Sequence, residues 1–518
     1  MSRTNHFALL IPLLSIQVAC LAAQSPATGS IVPGRYIIVY RDGYLPPDAE
    51  TSVRIAGARI VRRQDRLGIA TVESLTHRSN AAPLARATSA DTDATMRQLA
   101  AQPDVEYVLP DRIVIGHRLR ISRISNEEAV FSVSTGTNYD TYYNSPQGWA
   151  VRQAGGYGGG TPGGPANGPW STTMGKGIRI AVLDSGVDAT HPDIAPNLIL
   201  NISEVDKTVL PSVCDDGSPQ DQAGHGTWTA SLAAAALGKG TGRVIGVAPA
   251  ASILNIKVLE RTAANISGAT DTAQCTAGES SGMLSWVIQG INDAIANRAD
   301  VITMSLGTTI DLATSDGAGV KSTFDRVTYA AQQAGAVLVA AAGNDGYNLG
   351  NTRYMEIPAQ SRGVLAVVAS TNPDCAEDTR GGAACVAGPV SLSYYSNYGA
   401  TLNAIAAPGG SYPAGADMAV SGWVRGACSQ GLPNTQDGLP NDTQHSFGCF
   451  NVGHVAYVQA IGTSAAAPLV AGAAALLRAA HPSWDVATII DALRNTAHPV
   501  TPGMSAPLIN TEAALLYQ

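Results

Sequence analysis

The chain has 518 residues, of which 45% are hydrophobic, 14% charged and 5% aromatic, with 54 glycines and a formal net charge of −8. This composition excludes a disordered or coiled-coil chain and gives enough length for one large domain plus a small one. The acidic balance argues against a nucleic-acid partner, and no apolar run reaches the roughly 18–20 residues of a membrane-spanning helix. At the N-terminus a short apolar stretch, Phe7 to Ala19, follows Arg3 and His6, and Leu21-Ala22-Ala23 offers a small-residue cleavage site. Residues 1–23 are therefore expected to be an export signal.

Charge divides the remainder. Residues 24–137 hold 14 arginines, no lysine and 12 acidic residues, whereas residues 138–518 hold 17 basic and 28 acidic residues. Opposite balances predict two units that attract one another. The first, residues 24–117, reads β-α-β-β-α-β, a small α+β domain. Its strands fall at 35–40, 69–74 and 105–111, with a helix from Asp91 to Ala101. From His117 to Gly168 the periodicity gives way to Ser, Thr, Gly and Pro, so residues 118–140 read as a linker before an irregular entry to the second unit, 141–518.

In that second unit, short apolar strands at 177–183, 252–259, 300–305 and 336–341 alternate with helices. One helix starts at His225, others span 284–297 and 325–334, and an alanine-rich one runs to about Arg478. This alternation predicts the α/β class: a parallel sheet covered by helices on both faces, with chemistry at the carboxyl ends of the strands. Once Cys20 leaves with the signal, six cysteines remain: Cys214, Cys275, Cys375, Cys385, Cys428 and Cys449. An even number in an exported chain predicts disulfides, with 15 connectivities open. No Cys-x-x-Cys spacing suggests zinc. Cys375–Cys385 and Cys428–Cys449 are expected as local pairs, leaving Cys214–Cys275.

Four polar residues occupy glycine-flanked turns at the edges of these elements. Asp184 ends a buried strand, His225 opens a helix inside Gly-His-Gly-Thr, Asn344 follows Ala341-Ala342-Gly343, and Ser464 follows Gly462-Thr463. Thr463 is expected to cap the last helix, which sets Ser464 at the positive end of its dipole. Each residue alone fits a cap or a turn. Together, in this order, they resemble the subtilisin-like serine protease family. The pieces that carry the resemblance are Ala181-Val-Leu-Asp-Ser-Gly-Val, His225-Gly-Thr, Gly246-Val-Ala-Pro, Met304-Ser-Leu-Gly, Ala341-Ala-Gly-Asn, Tyr395-Ser-Asn-Tyr-Gly and Gly462-Thr-Ser-Ala-Ala-Ala-Pro, spread over roughly residues 140–518.

The resemblance implies a secreted endopeptidase with Ser464 as nucleophile, His225 as its base, Asp184 as the orienting acid and Asn344 as oxyanion donor. It also implies that Ser280-Ser281-Gly282 and Ser305-Leu306-Gly307 sandwich an extended polypeptide substrate. Leu306, Ala341, Ala342 and Gly343 then line the pocket for the residue before the scissile bond, with Asp345 beside it. Residues 36–40 and 99–111 resemble inhibitory propeptides, so residues 24–117 are expected to act as an intramolecular inhibitor. Their removal is expected between His117 and Asn138. No cofactor is implied for the chemistry. Structural calcium is frequent in the family, and Asp215-Asp216 is an exposed acidic candidate, but no spacing assigns a ligand set. Ala465, Leu469, Trp228 and Thr303 depart from the family's usual residues without removing a triad group. A silent binding protein and an esterase or narrow maturation protease remain open as other uses of the scaffold.

Overall fold

The computed structural model describes residues 29–75, 94–116, 148–156, 168–209, 211–237, 244–264, 266–350, 353–371, 390–410, 423–432, 449–452, 454–499 and 504–518. The expected export signal, the 118–140 linker and the Cys375–Cys385 pair lie outside the described residues.

The N-terminal unit comprises β1 (Ile31–Tyr40), α1 (Ala49–Ile55), β2 (Ala58–Gln64), β3 (Ile69–Ser74), α2 (Ala94–Ala100) and β4 (Val105–Gly116). Its strands lie antiparallel in the order β2-β3-β1-β4. β4 runs five residues beyond the expected end at Asp111.

The C-terminal unit opens with the short helices α3 (Trp149–Val151) and α4 (Pro169–Thr172), then β5 (Arg179–Asp184), β6 (Leu198–Ser203), α5 (His225–Ala234), β7 (Ser252–Lys257), β8 (Leu259–Thr262) and α6 (Asp271–Thr276). Next come β9 (Glu279–Met283), α7 (Leu284–Ala296), β10 (Val301–Met304), β11 (Leu306–Asp311), α8 (Ser315–Gln333), β12 (Val337–Ala341), β13 (Tyr354–Ile357) and β14 (Val364–Thr371). The chain ends through β15 (Ser391–Leu392), β16 (Ala404–Pro408), β17 (Val424–Ala427), β18 (Phe450–Val452), β19 (Val455–Ala460), α9 (Thr463–Ala480), α10 (Val486–Asn495) and α11 (Thr511–Leu515).

The central sheet has the order β15-β14-β12-β10-β5-β7-β6, with β16 also on β14, and every pairing except that of β15 is parallel. Strand alternation sorts its side chains between two cores. Val301, Val337 and Val339 pack with Trp228, Leu469 and Leu476 under α5 and α9, while Ile302, Leu338 and Ala340 pack with Ile288 and Phe324 under α7 and α8. The predicted α/β architecture, with helices on both faces, is what is found. α9 is 18 residues long and apolar enough to cross a membrane, but 83% of it is buried, so its apolarity is spent on this core.

Two local expectations are corrected. α8 begins at Ser315, ten residues before the expected start at 325. Thr463 is the first residue of α9 rather than its cap; Gly462, at a positive φ of 154°, holds the cap position, which frees the Thr463 side chain for the site. Two expected disulfides are present: Cys214–Cys275, with Cα atoms 5.2 Å apart, and Cys428–Cys449, at 6.1 Å.

Candidate active site

Asp184 ends β5 in the middle of the sheet, and His225 opens α5 above it, both buried. His225 Nδ1 lies 2.6 Å from Asp184 Oδ1. The same carboxylate accepts the Ser185 backbone N–H at 2.7 Å and the Thr229 hydroxyl at 3.1 Å. Such a carboxylate fixes the imidazole tautomer, with the proton on Nδ1 and Nε2 left to accept. Gly226 is required directly after the histidine: a Cβ there would sit 2.1 Å from the Gly186 carbonyl oxygen.

A second carboxylate, Asp221, holds this corner together. Its Oδ1 accepts from the N–H groups of Ala223 and Gly224 and from Ser185 Oγ, and its Oδ2 accepts from Thr227 N and Oγ1, all at 2.7–3.0 Å. Burial pushes the Asp221 carboxyl up, and the hydrogen bonds from Thr227, Gly224 and Ala223 oppose that shift. It satisfies the free N–H groups at the start of α5 and ties them to the residue after Asp184. The sequence reading missed Asp221. Its signal was a carboxylate four residues before a histidine that opens a helix.

Ser464 is the second residue of α9, fully buried, and α9 packs against α5. Its hydroxyl donates to the Ser305 carbonyl at 3.3 Å, and Ser305 Oγ donates back to the Ser464 carbonyl at 3.1 Å. Asn344 is oriented by Thr463, whose N–H and hydroxyl both donate to its Oδ1, at 2.9 and 2.8 Å. Because a backbone N–H can only donate, this pair fixes which way the amide points. Asn344 Nδ2 is left buried with no hydrogen-bond partner. Thr463 Oγ1 also accepts the Gly343 N–H at 3.2 Å, and Asn397 Nδ2 donates to the Ala342 carbonyl at 2.8 Å, so Ala341-Ala342-Gly343 is held from both sides.

The two expected substrate segments are occupied by the chain itself. The end of β4 lies antiparallel between β9 and β11: Ile113, Val114 and Ile115 face Met283, Gly282 and Ser281, while Ile115 and Gly116 face Gly307 and Leu306. Ser280 continues β9 beside Gly116, its Cβ within 3.1 Å of where a Gly116 side chain would start. Leu306 adjoins Ser305, the residue that touches Ser464.

The subtilase family profile matches residues 175–513 of this sequence. The chain belongs to the subtilase family. Subtilisin NAT of Bacillus subtilis subsp. natto is 32% identical over 323 residues, 62% of this chain and 61% of that protein, so this subtilase spans less than two thirds of that relative. An extracellular protease of Xanthomonas campestris pv. campestris is 26% identical over 513 residues, covering 93% of this chain and 72% of the relative. The structure of fervidolysin from Fervidobacterium pennivorans, described as a keratinolytic enzyme related to subtilisin, superposes with a TM-score of 0.62 at 20% identity over 96% of this chain and 62% of that one. That last likeness is one of fold.

Asp215, expected on an exposed acidic loop, is buried instead. Both its carboxylate oxygens take the Lys257 ammonium at 2.9 Å, and its Oδ2 also accepts the Arg261 N–H. An ammonium therefore stands where a cation would sit. Among the described residues no three His, Cys, Asp or Glu side chains converge on a common point.

Proposed function

We propose that this subtilase is an exported serine endopeptidase, made as a zymogen that cuts itself. The observation that carries this reading is β4 seated as a strand in the cleft beside Ser464. In the proposed mechanism Ser464 attacks the carbonyl of the peptide bond while His225 takes its proton. Asp184 stabilises the resulting imidazolium without itself being protonated. Asn344 Nδ2 and the Ser464 N–H receive the developing oxyanion. The imidazolium then gives its proton to the leaving amine, and water, activated by the same base, releases the acyl group.

Residues 24–117 act as the inhibitor because their last strand makes substrate-like backbone pairings while the rest of the unit anchors it. β4 pairs with β11 as far as Leu306, one residue short of Ser305. We assign the cut to the first bonds after Gly116, with His117–Arg118 as the leading candidate, at the near end of the His117 to Asn138 window. Peptide recognition by strand addition favours a polypeptide substrate over a simple ester.

The test is to express the wild type and Ser464→Ala and follow intact mass and casein cleavage. The wild type should lose the segment ending near residue 117, and the variant should stay whole with activity lower by about 10⁶, the loss known for nucleophile removal in this family. An alanine variant that still shortens in the absence of other proteases overturns self-processing. A processed wild type that cuts no peptide once its N-terminal fragment has been removed overturns the endopeptidase reading.

A further inference from the structure

One buried carboxyl near the cleft has no part in the mechanism above. Glu356 lies on β13, which pairs antiparallel with β11, so β11 has the substrate-like tail on one side and Glu356 on the other. We infer that Glu356, with Asp345 at the rim, makes the pocket for the residue before the scissile bond select a cationic side chain: arginine, lysine or histidine. The inference rests on the endopeptidase reading and names the substrate class of that same site.

The strand register supplies the geometry. Glu356 stands opposite Thr309, and its Oε2 accepts the Thr309 hydroxyl at 2.8 Å, so both side chains share one face of the sheet. Alternation along β11 puts Gly307 on that face too, with Ser305 just before the strand. Gly307 places no side chain between Thr309, the partner of Glu356, and Ser305, the residue in contact with Ser464, and the inferred pocket is set here. A substrate residue set opposite Ser305, one step past the pairing of Gly116 with Leu306, projects toward this space. In the pocket that the family resemblance implies, Ala341, Ala342 and Gly343 at and just after the end of β12 form the other wall and lead through Asn344 to Asp345.

Electrostatics then decides what fits. Glu356 is only 2% exposed, and burial pushes its carboxyl up to about 8; the Thr309 hydrogen bond opposes the shift, and the negative charge of Asp345 adds to it. An anionic side chain would meet two carboxyl groups. A guanidinium or ammonium would draw Glu356 back to the carboxylate and pair with it where water is excluded. The chain's own sequence agrees: after Gly116 come His117, Arg118, Leu119 and Arg120, and no acidic residue occurs until Glu127.

The test uses the self-processed full chain, freed of its cut N-terminal fragment, and peptides carrying Val-Ile-Gly followed by Arg, Lys, His, Phe or Glu before the scissile bond. The cationic peptides should exceed Phe by about tenfold or more in kcat/KM, the scale of a close charge pair, with Glu the poorest. Glu356→Gln keeps an acceptor for Thr309. It should bring the Arg-to-Phe ratio near unity, chiefly by lowering kcat/KM for the cationic peptides, and it should abolish competitive inhibition by benzamidinium. Asp345→Asn should lower the ratio less. A ratio unaltered by Glu356→Gln, or a wild type that takes Phe over Arg, overturns the inference while the endopeptidase reading stands. A wild type that cuts none of these peptides and no casein overturns both.

Discussion

The two units of this subtilase are built on opposite terms. The C-terminal sheet has a core on each face made from its own helices. The N-terminal sheet owns only one: Tyr36, Ile38 and Tyr40 pack with Val53, Val72 and Leu99 under α1 and α2. Its other face, with Ile37, Val39, Ile69 and Leu109, rests on α7 and α8 of the catalytic unit. An apolar sheet face cannot stay open to water at low cost, so the smaller unit is completed by the site it fills. Ion pairs edge this junction. Arg62–Glu204 and Arg112–Asp316 run in the sense predicted from the arginine-rich and acidic compositions, whereas Arg326–Glu106 runs the other way. Cutting the chain therefore does not by itself empty the cleft.

The most damaging way to break the junction is through Asp111. This fully buried carboxylate takes Arg35 Nε at 3.1 Å within its own unit and the Ser285 N–H, at the start of α7, at 3.1 Å across the junction. Burial pushes its carboxyl up, and Arg35 and Ser285 pull it back. Asp111→Ala leaves the buried Arg35 uncompensated, a loss of about 3–5 kcal/mol. After processing, the N-terminal fragment should co-elute with the wild-type catalytic unit on size exclusion and separate in the variant. Co-elution of the variant would show that the apolar face alone carries the docking.

Asn344→Ala addresses the other side of the comparison. Chemistry should slow by about 2.7–4 kcal/mol, the range known for this donor in this family, while the fragment stays docked. Slow processing with an intact complex is the expected pattern. A complex that falls apart would instead assign Asn344 to scaffolding through Thr463.

The residues of the proposed chemistry stood out in the sequence because such chemistry constrains residue type at fixed places, and the structure sets Asp184 at a strand end and His225 and Ser464 at helix starts. What stayed hidden depends on contacts far apart in the chain. Asp111 meets Ser285 across 174 positions and Thr309 meets Glu356 across 47, and neither pair has a local pattern. The start of α8 stayed hidden for a local reason: Gly317 and Gly319 have low helix propensity, yet both lie inside α8. Gly319 lets β4 approach: a Cβ there would sit 2.5 Å from Leu109 Cδ2 and 3.2 Å from Tyr107 Cδ1.

That glycine gives a subtler way to separate the units. In the free catalytic unit, Gly319→Ala should stabilise α8 by about 1 kcal/mol, the usual difference inside a helix. In the full chain, where β4 packs on α8, the added methyl must displace Leu109. The substitution should therefore raise the melting temperature of the mature enzyme and weaken retention of the cut fragment. If both measures rise together, Leu109 yields freely and the close approach has no energetic role.

The remaining test lies in pH dependence. Asp111 and Glu356 are both carboxyls raised by burial, one beside a guanidinium and one accepting a neutral hydroxyl. Glu356 ionises at its ordinary 4.5 in the unfolded chain and at about 8 in the fold. Below pH 4.5 both states hold the proton, so its contribution to stability is fully present. Between 4.5 and 8 only the unfolded state releases the proton, and that contribution drains away; above 8 the loss is complete. Glutamine carries no such proton. In a Ser464→Ala background, which prevents autolysis, the melting temperature of Glu356→Gln minus that of the parent should rise across this window and level off above it. Taking the difference cancels Asp111, Asp221 and every other carboxyl the two proteins share. A constant difference would mean that Glu356 is already ionised in the folded enzyme, held so by a cation within the pocket.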